Sequence, residues 1–283
     1  MSAVILARNL DITNVSFVLG PKKTGRNPSV QIKYNGQPLM IRLPKMTYPG
    51  GVLERKDDKT GAVGYSLLGS LSGCDPYGVE RADDTTDIGH LYNFLKDLKP
   101  LLIQAATENS QKWFGKKRTT EGIIDSLKDF MRLSADKLDG EYVPNGKYPP
   151  SLTLKVPVYE GKVNVDIIDD SNNPVYVSPS TLRNVFPKGV EAACAICPSV
   201  YIMAGGGLGM TMRVSHAKML PSSRVRASDV FMDEEEEEIL PPPLPEEGLE
   251  RQEAKEAPEE EEVAPPPEEK KPERRRRTAQ PVG

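Results

Sequence analysis

Alternation of apolar and polar side chains, the pattern of half-buried strands, dominates the first 220 positions. AVILAR and ITNVSFVL read as two short strands. Asn35-Gly36 predicts a hairpin turn between Val30–Tyr34 and Pro38–Leu43, because both residues tolerate the positive φ of a two-residue turn. VGYSLL predicts a further strand. Leu152, Leu154, Val156 and Val158 face one way with Thr153 and Lys155 opposite, and Val163, Val165 and Ile167 repeat the pattern after the turn at Glu160, Gly161 and Lys162. NPVYV predicts a short strand and TLRNVFPKG a connector. EAACAIC then leads into PSVYIMAGGGLGMTMRVSHAKML, residues 198–220, which predicts a hairpin around Gly205, Gly206, Gly207 and Gly209. Its second strand sets Met210, Met212 and Val214 on one face and Thr211, Arg213 and Ser215 on the other.

From His90 the period becomes helical. Leu91, Phe94, Leu95, Leu98, Leu102 and Ala105 mark one side of a helix that Asp87 would cap and Pro100 would kink or split. Thr119 is placed to cap a second helix burying Ile123, Ile124, Leu127, Phe130 and Met131. Between them ENSQKWFGKKR holds the one Trp, and Trp113 with Phe114 reads as a plug fastening the helix pair to a sheet. Strands on both sides of a helical insertion at about residues 88–138 predict one mainly β (α+β) domain over 1–230, closing on itself because open sheet edges are a liability.

Charge divides the chain. Residues 231–283 carry 18 Asp and Glu against 8 Lys and Arg, a balance of −10, so the net −4 of the whole leaves 29 basic and 23 acidic residues, or +6, in residues 1–230. Rich in Pro and Glu and poor in large apolar groups, residues 231–283 predict a disordered acidic tail, ended by the basic run Arg274–Arg277, which fits a nuclear import or nucleic-acid patch or a simple neutralising cap. The body is suited to meet a polyanion, and the tail to compete for the same surface.

No segment approaches the ~20 consecutive apolar residues of a membrane helix, and MSAVILARNLD lacks the basic head and apolar core of a secretion signal. The expectation is an intracellular protein without a membrane partner. Three cysteines, one of them isolated at Cys74, fit a reducing compartment. Cys194 and Cys197 form a CxxC without further ligands at zinc spacing, and read as reduced structural thiols. GPKKTGRNP, with Lys22, Lys23 and Arg26, lacks the Lys-Ser/Thr of a phosphate-binding loop. No nucleophile-and-base pairing is present, so the expectation is a non-enzyme with neither cofactor nor metal.

Basic residues interleaved with rings suit single-stranded nucleic acid, where cations track phosphates and rings stack on bases. The hairpin at 30–48 offers Lys33, Arg42 and Lys45 with Tyr34 and Tyr48; the tryptophan segment offers Lys112, Lys116, Lys117 and Arg118; the glycine hairpin offers Tyr201 and Arg213. The glycines would shape the rim of the cleft, and the hairpin at 30–48 would do more of the binding.

Four segments, YNGQPLMIRLPKMTYPGG, FLKDLKPLLIQAATENSQKWFGKK, YVPNGKYPPSLTLKVPV and VYIMAGGGLGMTMRV, together resemble the single-stranded-DNA-binding proteins of large eukaryotic DNA viruses, of the phycodnavirus and mimivirus kind, over most of residues 28–220. The chain departs from that pattern at Leu208 and Met210, where a bulky aromatic or a lysine is expected, and in its terminal arginines. The resemblance implies an OB-fold-like barrel with a two-helix insertion. It also implies binding of single-stranded DNA in viral DNA replication, recombination or repair, at a replication site in the nucleus or cytoplasm of the host cell. The acidic tail would compete with DNA and recruit replication proteins, and a homo-oligomer is compatible with this reading. A different class, a virion structural or scaffold protein docking through PPPLP and the glutamate run, stays open at this level.

Overall fold

Val30, Ile32 and Tyr34 are buried while Ser29 and Gln31 are exposed, and this alternation turns one side of each strand into the core. The structure, a computed structural model, describes residues 3–21, 28–58, 61–203 and 205–220. Lys22, Lys23 and Arg26, the tail over 231–283 and the Arg274–Arg277 run lie outside the described residues.

In chain order the first half comprises β1 (Ala3–Leu6), β2 (Val15–Leu19), β3 (Ser29–Tyr34), β4 (Gln37–Tyr48), β5 (Val52–Lys56), β6 (Val63–Ser70), α1 (Asp87–Glu108), α2 (Ser110–Phe114) and α3 (Thr120–Ile124). The second comprises β7 (Met131–Arg132), β8 (Ala135–Leu138), β9 (Glu141–Pro144), β10 (Ser151–Val156), β11 (Val158–Tyr159), β12 (Lys162–Val163), β13 (Asp166–Ile168), α4 (Leu182–Val185), β14 (Val190–Ile202) and β15 (Leu208–Leu220). One mixed sheet runs β1-β4-β3-β14-β15-β10-β6-β5, with β2, β7 and β13 attached at its margins.

β14 organises the sheet. Its first half pairs with β4, its last residues with β3, and its whole length with β15. β6 then approaches β4 at Gly69, where a Cβ would lie 2.9 Å from Met46 Cε and 3.2 Å from Tyr48 Cε1, so only glycine lets the layers come this close. The sheet thus curls over a core containing Ile32, Ile41, Leu67, Leu154, Ile196 and Val214. The fold is mainly β (α+β), one curled mixed sheet with helices packed on it.

The turn at Asn35 and Gly36, with φ of 47° and 78°, joins β3 to β4 as expected, and the glycine hairpin pairs β14 with β15. Trp113 is buried and meets Phe17 edge to face, with ring centroids 6.5 Å apart.

Five local expectations change. Thr86, whose Oγ accepts from Gly89 N at 3.0 Å, caps α1, while Asp87 is its first residue. Pro100 does not split α1, because Leu98 and Leu102 are held in the core on either side of it. The second helix is capped by Thr119 but stops at Ile124. Lys128 N there donates to Leu208 O and Leu208 N to Ser126 O, so β15 captures the chain that would have continued the helix. The strand read around Val163–Ile167 is divided between β12 and β13, and NPVYV contributes one bridge, Pro174 to Ile168.

Candidate nucleic-acid interface

Two tyrosines read as base platforms belong to the core instead. Tyr48 is fully buried, its hydroxyl donating to Cys194 Sγ at 3.2 Å, and burial followed by the nearby Cys194 holds its pKa well above the ordinary tyrosine value. Tyr34 is 6% exposed; its hydroxyl donates to Asn9 O at 3.2 Å and accepts from Asp11 N at 3.2 Å and Asn14 Nδ2 at 3.3 Å. Neither ring has a face to offer a base. Arg118 is also committed within the fold: it donates to Gly206 O and, at 2.5 Å, to Gly122 O, and its guanidinium stands 5.0 Å from the Phe114 ring centre. It fastens the glycine turn to α3 and is not a free phosphate contact.

Of the remaining predicted cations, Arg42, Lys45 and Arg213 share the outward face of the sheet. Residues directly opposite in a ladder point to the same side. One row therefore runs Lys45, Ala193, Lys218; the next runs Arg42, Ala195, His216. A third runs Cys197, Arg213, Lys155, Ser66 and Leu53, and two more run Gln31, Ser199, Thr211 and Ser29, Tyr201, Gly209. Alanine, serine, threonine, cysteine and glycine make most of the floor, with Gln31, His216 and Leu53 among them, and arginine and lysine rise from it.

Register shifts make this grouping possible. Arg42 and Lys45 are three apart, as are Arg213 and His216, and regular alternation would send the members of each pair to opposite faces. The pairing of β14 slips once against β4 between Ala193 and Ala195, and once against β15 between Ala195 and Ile196, so each pair comes out on one side. Pro44, between Arg42 and Lys45, is a residue that cannot donate to a ladder and suits such a place.

Arg42, Lys45 and Lys218 line one hollow of about 410 Å³ together with Arg8 and Asp87. Three of these cations are partly engaged: Lys45 pairs with Glu191 at 2.6 Å, Arg8 with Asp87 at 2.9 Å, and Lys218 donates to Asn172 Oδ1 at 2.7 Å. At the other end of the face, Tyr201 stands at the margin of an open groove of about 870 Å³ that also takes in Arg55, Lys56, Lys155, Tyr65 and Met210. The ring of Tyr201 lies against Gly209: a Cβ there would fall 2.6 Å from its Cζ and 3.0 Å from its Cε1. Beyond the hairpin, Lys112 and Lys116 line a hollow of about 600 Å³ with Trp113, Met203, Gly205 and Gly206, which brings the tryptophan segment and the glycine turn together. Lys33 is half-buried on β3 and Lys117 is exposed beside Lys116; neither lines these three hollows.

Lys155, Lys218, Arg55 and Lys56 were not among the residues nominated from sequence. For Lys155 the signal was present, since it sits opposite Leu154 and Val156 on an alternating strand. Among the described residues no group of three or more His, Cys, Asp or Glu side chains is placed to hold a metal ion, and no helix is long and apolar enough to cross a membrane. Cys74 and Cys194 are buried free thiols, each pushed by burial up to about 11.

No protein-family model and no curated protein matches the sequence. Among solved structures, the chain is similar to gp2.5, a single-stranded DNA binding protein encoded by bacteriophage T7, at 8% identity and TM-score 0.40, over 70% of this chain and 96% of that one. It is also similar to a C-terminally truncated single-stranded DNA-binding protein from bacteriophage Enc34, at 10% identity and TM-score 0.34, over 75% of this chain and 97% of that one. At TM-scores below 0.5 neither likeness bears on function, which has to be read from the surface of this chain.

Proposed function

We propose that this chain is a non-catalytic, sequence-tolerant single-stranded-DNA-binding protein that lays the strand across the outward face of β14, β15 and β10. The observation that carries the reading is the cross-strand array: Arg42, Lys45, Lys218, Arg213 and Lys155 over a floor of small side chains, with the Tyr201 ring laid on Gly209. Cations at this spacing neutralise phosphates whatever the sequence, and a ring offers a stacking surface to any base. Few side chains on the floor could read base edges, so contacts would position the strand without specifying it. Bases can reach the ring only when unpaired, which favours a single strand over a duplex.

The balance of +6 in residues 1–230 and −10 in residues 231–283 supports a tail that competes with DNA for this face and is released to engage replication proteins. The resemblance to the proteins of large DNA viruses supports replication, recombination or repair of a viral genome as the setting.

The test is fluorescence anisotropy of labelled oligo-dT and of a duplex of equal length, titrated at low salt with the full chain and with a chain ending at Val230. The reading expects tighter binding of oligo-dT than of duplex, an affinity falling with a log–log slope of about −0.7 per phosphate neutralised, and tighter binding without the tail. Failure of both chains to bind oligo-dT at low salt overturns it.

A further inference from the structure

A further hollow lies on the same face, on its β10 and β6 side. Ser151 faces Ser70 on β6 and Arg132 on β7, and Thr153 faces Leu68, so these residues share the side of the sheet that carries Lys155 and Ser66. Ser151 is four residues from Lys155, roughly 13 Å along an extended strand. Around it Pro49, Leu68, Arg132, Leu133, Tyr148 and Pro149 line an open hollow of about 320 Å³. That is the small end of the roughly 300–1,000 Å³ of small-molecule sites, room for one planar ring system.

Two features point to a ligand. Tyr148 is 70% exposed and lines the hollow together with proline and leucine side chains, which would shelter one side of a ring held there. Arg132 is exposed and supplies the positive charge that a phosphate beside that ring would meet. β10 carries Ser151 of the hollow and Lys155 of the array on the same side, so a strand lying along β10 would meet both without leaving the face.

We propose that this hollow receives one unstacked base of the bound strand, with Tyr148 as its stacking partner and Arg132 on the adjoining phosphate. The proposal rests on the reading of the face as a single-strand interface. It adds a stacking position on the β10 and β6 side of the face, beyond the one at Tyr201, and so sets the length of strand that one chain occupies.

The experiment uses the full chain and its Tyr148→Ala and Tyr148→Phe variants, titrated into oligo-dT strands of graded length by anisotropy. Tyr148→Ala is expected to weaken binding of long strands by roughly 5- to 150-fold, the equivalent of the about 1–3 kcal/mol that one base stack supplies. It should leave short strands, which end before the hollow, and the salt slope unchanged. Tyr148→Phe, which keeps the ring, should bind like the parent. An exposed side chain can be truncated without endangering the fold, which a melting curve verifies. If the parent binds oligo-dT and Tyr148→Ala binds every length equally well, the base site is overturned while the interface stands. Loss of binding to a proline-rich peptide, with oligo-dT unaffected, overturns it in favour of a protein partner. If the parent itself does not bind oligo-dT, the interface reading fails first.

Discussion

Gly209→Ala separates the binding role of the glycine hairpin from its structural role. Gly209 lies opposite Tyr201 and is not among the positive-φ residues, so its backbone accepts alanine. What the new methyl meets is the ring, 2.6 Å from Cζ and 3.0 Å from Cε1, well inside the roughly 3.5–4.0 Å at which carbon atoms attract. The ring is the far end of a half-exposed side chain, and it moves before the strands do. If Tyr201 stacks on a base, its displacement forfeits most of about 1–3 kcal/mol, a loss of roughly 5- to 150-fold in affinity. The fold responds differently. Replacing glycine in a strand reduces the entropy of the unfolded chain by about 0.4–1 kcal/mol, which offsets the cost of shifting the ring and leaves the melting temperature nearly where it was. Anisotropy titration with oligo-dT and a melting curve on the same samples read both effects. A double-mutant cycle with Tyr201→Ala completes the test: in that background Gly209→Ala should cost nothing further. Persistence of the full Gly209→Ala loss without the Tyr201 ring, or parental affinity in the single variant, refutes the reasoning.

Three further outcomes follow from the core and its loops. Tyr48→Phe removes a buried hydroxyl that donates to Cys194 and should cost about 1 kcal/mol in denaturant unfolding while leaving oligo-dT affinity unchanged; reduced affinity at parental stability would return Tyr48 to the interface. With Cys74 and Cys194 both pushed up to about 11, only about one in a thousand of either thiol is ionised at pH 8, so a disulfide reagent should label the native chain slowly at these positions and all three cysteines after denaturation. Fast native labelling of Cys74 or Cys194 would contradict their burial. Asp75 accepts hydrogen bonds from the backbone N–H groups of Glu80, Tyr77 and Val79, which hold its pKa below the ordinary value. A lowered carboxylate pKa stabilises the fold above the unfolded value of about 3.9, and the contribution is lost as pH falls through the folded value. Amide exchange at Val79 and Glu80, corrected for intrinsic rates, should therefore accelerate relative to the strand amides below about pH 4, and unaltered protection there would contradict the role of Asp75.

Local turn chemistry and alternation made most of the strands readable from sequence. Asn35-Gly36 specifies its own turn, and Val190–Ile202 buries every second residue throughout. The same alternation marks Tyr34 as a core residue, since it shares its parity with Val30 and Ile32. The cation array was less accessible. Arg42 with Lys45, and Arg213 with His216, come together only because β14 slips in register against each neighbour, and a slip depends on which strands pair. Arg118 looked like one of four free cations, and only the folded position of Gly206 shows where its guanidinium is spent. The truncated second helix has the same origin, since Leu208 reaches Ser126 and Lys128 from far along the chain.

The central claim is that the outward face of β14, β15 and β10 binds the phosphates of a single strand. Its most direct test is the salt dependence of oligo-dT binding by the full chain and by a variant with Arg42, Lys155, Arg213 and Lys218 all changed to Gln. The account predicts weaker binding and a log–log slope shallower by about 0.7 for each phosphate that is no longer neutralised, up to about 2.8 for the four. An unchanged affinity and slope in a variant that melts like the parent would place the DNA elsewhere and contradict the account.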